Sequence, residues 1–381
     1  MIDAPITGCR SLAGAGAEDW YLTAAPSGGG SPKAQARALY AALREALVAA
    51  GARIFAERIF ATQEAMEAVT AERHAALGDL DDGVRPTRVV VAAGHSGALA
   101  GVQIQAVASS SSPSPLGCHG NGATAYGREL RIGDHRWLTL SEVSPGGDVS
   151  PREQAQRMFD CTGCLLRQAG ADMRSVARTW LWLKDIRQWY GDFNAVRTAF
   201  FRREGLIRTG HPYGRLPAST GIGLGVAGGS ACALDLLALP GREDSIELLA
   251  AGGDQNSAFS YGSAFSRAAI VPMPGGRTLL VSGTAAIDAQ GRTEHVGQVE
   301  AQIAATIRHV RALLEKAGCG DEQVLSALVY CKTPDVEAAF RAGWGDLGWP
   351  AVSMIAGICR EDLLFEIEAV AGPVPETSRK G

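Results

Sequence analysis

The chain carries one order of secondary-structure signals three times over, and a fold for it must accommodate three similar units. The clearest copy runs from LLVSGTAAID at Leu279 through the helix-like QVEAQIAATIRHVRALLEKAG to CREDLLFEIEAV, ending near Val370. A second runs from WLTLSEVSP at Trp137 to RLPASTGIGLGVAGGSACALDLLAL, and a first from WYLTAAPSGGG to RPTRVVVAAGHSGALAGVQIQAV. A period of roughly a hundred residues exceeds the about 20–50 of solenoid repeats, so each copy reads as a small domain. The expected domains are 17–110, the most worn copy, 117–240 and 262–372, with linkers in the Ser/Pro-rich ASSSSPSPLG and around LPGREDSIELLAAGGDQNSAF.

Within the third copy, Leu279 to Ile287 alternates as a strand, and Ile303, Ile307, Val310, Leu313 and Leu314 recur at helical spacing until Gly318. VLSALVYC reads as a strand, EAAFRAGWGDL as a second helix, and VSMIAGIC and LLFEIEAV as a closing strand pair. The order is β, β, α, β, α, β, β. A sheet with both helices on one face leaves its other face apolar, and small domains of this kind cover it by trimerising. Three copies in one chain predict an α/β (α+β) fold closed as an intramolecular pseudo-trimer, a monomer in solution.

With 381 residues, 46% hydrophobic and 20% charged, the chain has material for several cores. A net charge of -4 gives no general case for nucleic acid or an anionic membrane and leaves a small anionic ligand open. The N-terminus has no charged leader before an apolar run, which predicts a cytoplasmic protein. Eight cysteines are too sparse for a disulfide framework. Cys161 and Cys164 lie in a helical pattern with no second CxxC, and Cys118 next to His119 lacks a third ligand, so no metal is expected. Gly223, Gly225 and Gly228 satisfy GxGxxG but lead into the strand-like CALDLLAL, so no dinucleotide or other cofactor is expected. Trp180, Trp182, Trp189 and Tyr190 follow the periods of the second copy and read as core; the Gly-rich CHGNGATAYG reads as pocket lining through Tyr126.

LVSGTAAI, LLFEIEAV and the helix between them resemble the RidA (YjgF) family of small trimeric imine deaminases, with a chorismate-mutase-like fold. The resemblance implies a ligand between neighbouring units, held by an arginine after a Pro-x pair, the Gly of the SG turn and the first Glu of the E-I-E strand. Here the turn is Ser282 and Gly283, and the acid is Glu366. Gln103 and Leu234 are its expected counterparts in copies one and two, and neither can donate a proton as a carboxylic acid does. The arginine survives only in copy one, as Arg88, against Ser219 and Ala351, which leaves a composite Arg88–Glu366 site open.

RLPASTGIG at Arg215 to Gly223, SAFSRA at Ser263 to Ala268, LLVSGTAAI and CREDLLFEIE at Cys359 to Glu368 look together like the chorismatases. The similarity implies release of pyruvate from the enolpyruvyl ether of chorismate. A dicarboxylate needs fixed cations, for which guanidinium forks are suited. Arg215 and Arg267 match motif positions, Lys332 is a third candidate, and Gly283, Tyr126 and Ala268 complete the expected substrate contacts. Strand alternation turns Glu366 and Glu368 to one face, away from Phe365 and Ile367. Burial and a neighbouring carboxylate would both raise the pKa of Glu366, and arginines would oppose them. The resemblance makes Glu366 the acid and Cys359 a second catalytic group. Cys359 matches the type that makes 3-hydroxybenzoate, and Ala268 the type that hydrolyses chorismate to a trans-dihydroxycyclohexadiene carboxylate; the former is favoured. A RidA-like deaminase and a non-catalytic carboxylate-binding protein are the alternatives.

Overall fold

The computed structural model describes residues 6–26, 29–117, 125–144, 146–208, 214–253 and 255–376. The first unit is β1 (Ile6–Ala13), β2 (Ala17–Ala24), α1 (Pro32–Ala50), β3 (Arg53–Ala61), α2 (Gln63–Leu77), β4 (Thr87–Val90) and β5 (Leu99–Ser109). In the second, β6 (Ser114–Gly117), β7 (Ala125–Ile132) and β8 (His135–Val143) precede α3 (Pro151–Gln168), β9 (Val176–Leu183), α4 (Ile186–Arg203), β10 (Ala218–Ile222), β11 (Gly225–Val226) and β12 (Cys232–Ala238). The third has β13 (Glu247–Leu249), β14 (Ala268–Met273), β15 (Gly276–Ala285), α5 (Val299–Lys316), β16 (Val324–Cys331), α6 (Pro334–Trp344), β17 (Ala351–Ile355) and β18 (Phe365–Ala371). Leaving out β6, β11 and β13, all three follow the expected order, the first as completely as the others.

Local chemistry fixes the helix starts. Ser31, Ser150 and Thr333 each accept a hydrogen bond from the backbone N–H three residues on, and each precedes a proline that opens α1, α3 or α6. Gly318 takes a left-handed φ of 74° just past α5, where a side chain would be strained.

Three six-stranded sheets result, in the orders β1-β2-β5-β3-β4-β11, β10-β9-β12-β8-β7-β6 and β13-β14-β15-β18-β16-β17. Two expectations are corrected. The segments read as linkers supply β6 and β13, which pair with β7 and β14. The last two strands do not pair with each other: β16 lies between them, parallel to β17 and antiparallel to β18. The α6 crossover makes β17 parallel to β16, which sends it to the sheet edge.

Each sheet packs one face on its own helices, giving three separate cores. The opposite faces meet in a fourth core with Phe60, Trp182, Leu280 and Tyr330, drawn from all three units. The apolar face that a lone unit would expose is thus covered within the chain. Edges are joined as well: β11 of the second unit pairs with β4 of the first, and backbone bridges link Ala218 to Ser266, Gly223 to Gly357 and Ala92 to Ile355. A Cβ on Gly223 would come within 2.5 Å of the Gly357 carbonyl oxygen, which accounts for a glycine in the GxGxxG run without a nucleotide. No helix among the described residues is long and apolar enough to cross a membrane.

Candidate active site

Between the second and third units lies a cavity of about 240 Å3. β18 brings Glu366 to its wall with the side chain 5% exposed, and antiparallel pairing with β15 sets the carboxyl over the SG turn. A Cβ on Gly283 would stand 2.1 Å from Glu366 Oε1, so the glycine makes the space that the carboxyl occupies. Across the interface, β10 supplies Thr220, whose Oγ1 accepts from Gly283 N at 2.9 Å and donates to Glu368 Oε2. Ser282 Oγ accepts from Ser219 N at 2.8 Å and donates to the Ser266 carbonyl at 2.6 Å, which locks the turn to both neighbouring strands.

Glu368, on the same strand face, is tied down behind Glu366. Arg178 Nη2 donates to its Oε2 at 3.0 Å and to Thr220 Oγ1 at 2.6 Å, and Trp180 Nε1 donates to its Oε1 at 2.7 Å. Burial pushes the Glu366 carboxyl up to about 8 and the Glu368 charge adds to the rise, while Arg178 and Arg267 oppose it. Glu366 is therefore mostly protonated at pH 7, a carboxylic acid rather than a carboxylate.

Opposite this acid the lining is cationic and aromatic. Arg267, 1% exposed, is held by the Asn256 carbonyl through Nε at 3.1 Å and Nη2 at 3.0 Å. Arg197 on α4 is bound to Asn194 Oδ1 at 2.7 Å, and Arg360 reaches the Gly291 carbonyl at 2.6 Å. The Phe265 ring is near two guanidiniums, its centroid 5.8 Å from that of Arg267 and 6.0 Å from that of Arg197. Tyr190 and Cys359 complete the wall, each pushed up to about 12, chiefly by burial, so both keep their protons at neutral pH. Among the described residues, no group of three or more His, Cys, Asp or Glu is placed to hold a metal ion.

Of the expected site residues, Glu366, Cys359, Arg267 and Gly283 meet in this cavity. The others lie outside its lining. Arg215 binds the backbone carbonyls of Arg174 and Glu243. Lys332 caps the Glu361 carbonyl and carboxylate. Ala268 follows Arg267 on a strand and so faces the other way, into the helix-packed core of the third unit. Tyr126 packs on the core of the second unit, and residues 118–124 of the Gly-rich run lie outside the described residues. Arg88 is also not available to Glu366: its Nη2 donates to Glu142 Oε1 at 2.6 Å and its backbone N–H to Oε2 at 2.8 Å. Sequence reasoning missed Arg197, Arg360 and Tyr190. Arg360 follows Cys359 inside the CREDLL motif, and Tyr190 and Arg197 lie seven residues apart, two turns along one face of α4.

Strand register sets the three clefts side by side. Glu366 pairs with Tyr330 where the second unit has Ala233 with Trp182 and the first has Gly101 with Phe60. Glu368, opposite Leu328, is matched by Asp235 opposite Trp180 and by Gln103 opposite Arg58. Gln103 is therefore the counterpart of Glu368, not of Glu366, and Leu234 turns into its own unit's core. In the cleft between the first and second units, Glu142 stands where the third unit has Gly283, at a left-handed φ of 49°, and its carboxylate fills the space by binding Arg88. Asp235 there repeats the threonine contact of Glu368, accepting from Thr87 Oγ1 at 2.8 Å. In the cleft between the third and first units, a Cβ on Gly101 would meet the Ala24 carbonyl oxygen at 2.6 Å and Val352 Cγ2 at 2.9 Å. Among the described residues, only the cleft between units two and three combines a glycine turn with a carboxyl above it.

A known structure shares this fold along nearly the whole chain. A crystal structure described as chorismatase matches with a TM-score of 0.56 and 17% identity, covering 96% of this chain and 100% of that one. The fold is chorismatase-like. Residues 256–372, the third unit without β13, match the family model described as Endoribonuclease L-PSP. Single-unit structures match about a third of the chain: a putative endoribonuclease from Thermotoga maritima (24% identity, 30% of this chain, 87% of that one, TM-score 0.24) and a YjgF/YER057c/UK114 family member from Mycobacterium tuberculosis (20%, 34%, 100%, 0.25). No curated protein matches the chain.

Proposed function

We propose that the chain is a chorismatase that protonates the enolpyruvyl group of chorismate and releases pyruvate with 3-hydroxybenzoate. The observation that carries this reading is a buried, neutral Glu366 facing a cavity with three arginines, Arg197, Arg267 and Arg360. A vinyl ether is cleaved under mild conditions when its terminal carbon takes a proton, and an acid titrating near 8 is matched to that task at neutral pH. The guanidiniums suit the two carboxylates of the substrate, which the net charge of the chain would not have attracted by itself.

Proton transfer from Glu366 to the methylene carbon forms a methyl group and leaves an oxocarbenium on the ether. The adjacent ring hydroxyl then forms a new C–O bond as the ether C–O bond breaks and pyruvate departs. The hydroxyl proton restores the one spent by Glu366. The resulting ring epoxide opens by breaking the C–O bond at the carbon that first bore the hydroxyl, and transfer of the proton from the carbon that keeps the oxygen to that oxygen completes aromatisation to 3-hydroxybenzoate. No water is consumed, so substrate and the two products balance. Cys359 supports the aromatising route because its protonated thiol lines the cavity, whereas Ala268 faces the core and acts on the site at most through Arg267 beside it.

The test is incubation of the purified protein with chorismate, with pyruvate and the ring product quantified together. Equimolar pyruvate and 3-hydroxybenzoate are expected. A dihydroxycyclohexadiene carboxylate in place of the aromatic product would move the assignment to the hydrolytic reaction, and no pyruvate above background would overturn both.

A further inference from the structure

We infer that the cleft between the third and first units is a second binding site, for a small aromatic carboxylate. Val352 fills the central side of this cleft against Gly101, and on the other face of β17, beside Ala351 and Ser353, lies a cavity of about 510 Å3, within the range of small-molecule sites. Phe340 and Trp344 of α6 and Trp349 before β17 give it aromatic walls, with Phe340 and Trp349 each 8% exposed. Arg10 on β1 and Arg341 on α6 also line it, one from each unit.

The electrostatics call for an anion. Among the described lining residues none is acidic, and the guanidinium of neither Arg10 nor Arg341 has an ion pair or hydrogen bond among the described residues. The hydroxyl of Ser353 at the floor is already committed to Glu337 Oε1 at 2.7 Å. Two guanidiniums at an aromatic-walled opening can bind a carboxylate by charge-assisted hydrogen bonds while the ring stacks on indole. Inorganic anions would use the arginines but gain nothing from the three aromatic side chains. This site rests on its own lining and is independent of the reaction proposed above.

The experiment is a calorimetric titration with benzoate, and in parallel with inorganic phosphate, of the wild type and of Arg10→Met, Arg341→Met, Trp344→Ala and Arg267→Met proteins. Arg10, Arg341 and Trp344 are not fully buried, so these changes leave the cores intact, and thermal denaturation of each variant checks it. Saturable benzoate binding is expected to weaken about tenfold with loss of either outer arginine. It should also weaken with Trp344→Ala and persist in Arg267→Met, which removes a cation only from the Glu366 cavity. The proposal is overturned if Arg267→Met does not bind benzoate saturably, or if the binding left in Arg267→Met is unchanged when Arg10→Met or Arg341→Met is added to it. Phosphate binding as tight as benzoate would overturn the aromatic specificity.

Discussion

Glu366 owes its character to what surrounds it within a few ångströms. Burial favours the neutral acid, Glu368 adds to the preference, and two arginines stop the rise at about 8. If the acid form is the reactive one, pyruvate release should hold level through neutral pH and fall as pH rises through about 8, which a pH–rate profile of kcat/KM for chorismate would show. The same shift bears on stability. The folded-state pKa lies above the unfolded value of 4.5, so the contribution is fully present below 4.5 and is lost as pH rises through about 8. Glu366→Gln should therefore unfold at a higher temperature than the wild type at pH 9, with the difference shrinking at pH 5. Gly283 is the complementary case. In Gly283→Ala the new methyl would stand where Oε1 is, and chorismate turnover should drop by about 100-fold or more, since misplacing a catalytic group by an ångström has that scale.

At the scale of elements, strands carry the site and threonines join them. β10 crosses to β15 through Thr220, and β4 makes the corresponding contact through Thr87 to Asp235. Thr220→Val keeps the shape but leaves Gly283 N–H and one oxygen of Glu368 without that partner, and should cost about 1–3 kcal/mol in denaturant titration. What was legible in sequence follows the same division. Alternation and helical spacing gave the element order, and the EIE strand with the SG turn gave Glu366 and Gly283. Both are local patterns on single strands. Arg215 had the right charge at a motif position and Lys332 the right charge after a strand, yet the first is spent on backbone carbonyls and the second on the Glu361 carbonyl and carboxylate, which no spacing rule reveals. Trp180 was read as core and is nearly so at 8% exposure, but its indole N–H also fixes Glu368 from another unit. Edge strands were missed because three or four residues beside Pro, Gly and Ser carry too little periodicity to stand out from a loop.

Across the whole molecule, three nearly equivalent interfaces have taken three fates. One holds an acid over a glycine, one is filled by the Arg88–Glu142 ion pair, and one is filled on its central side by Val352. Arg88→Met strands a largely buried Glu142 and should lower the denaturation midpoint while leaving turnover at the Glu366 cleft unchanged. Fusion of the units in one chain is what allowed such divergence, because a homotrimer would repeat each substitution at all three interfaces. The first unit keeps a full set of strands and helices, so loss of its acid is not decay of its fold.

The proposed reaction depends on a single acid, Glu366. The most direct measurement is pyruvate release from chorismate by wild-type and Glu366→Gln proteins at pH 7 under identical conditions. The wild type should release pyruvate, and the variant should do so at least about 100-fold more slowly while still folding, the loss typical of removing a general acid. Equal rates from the two proteins would contradict it.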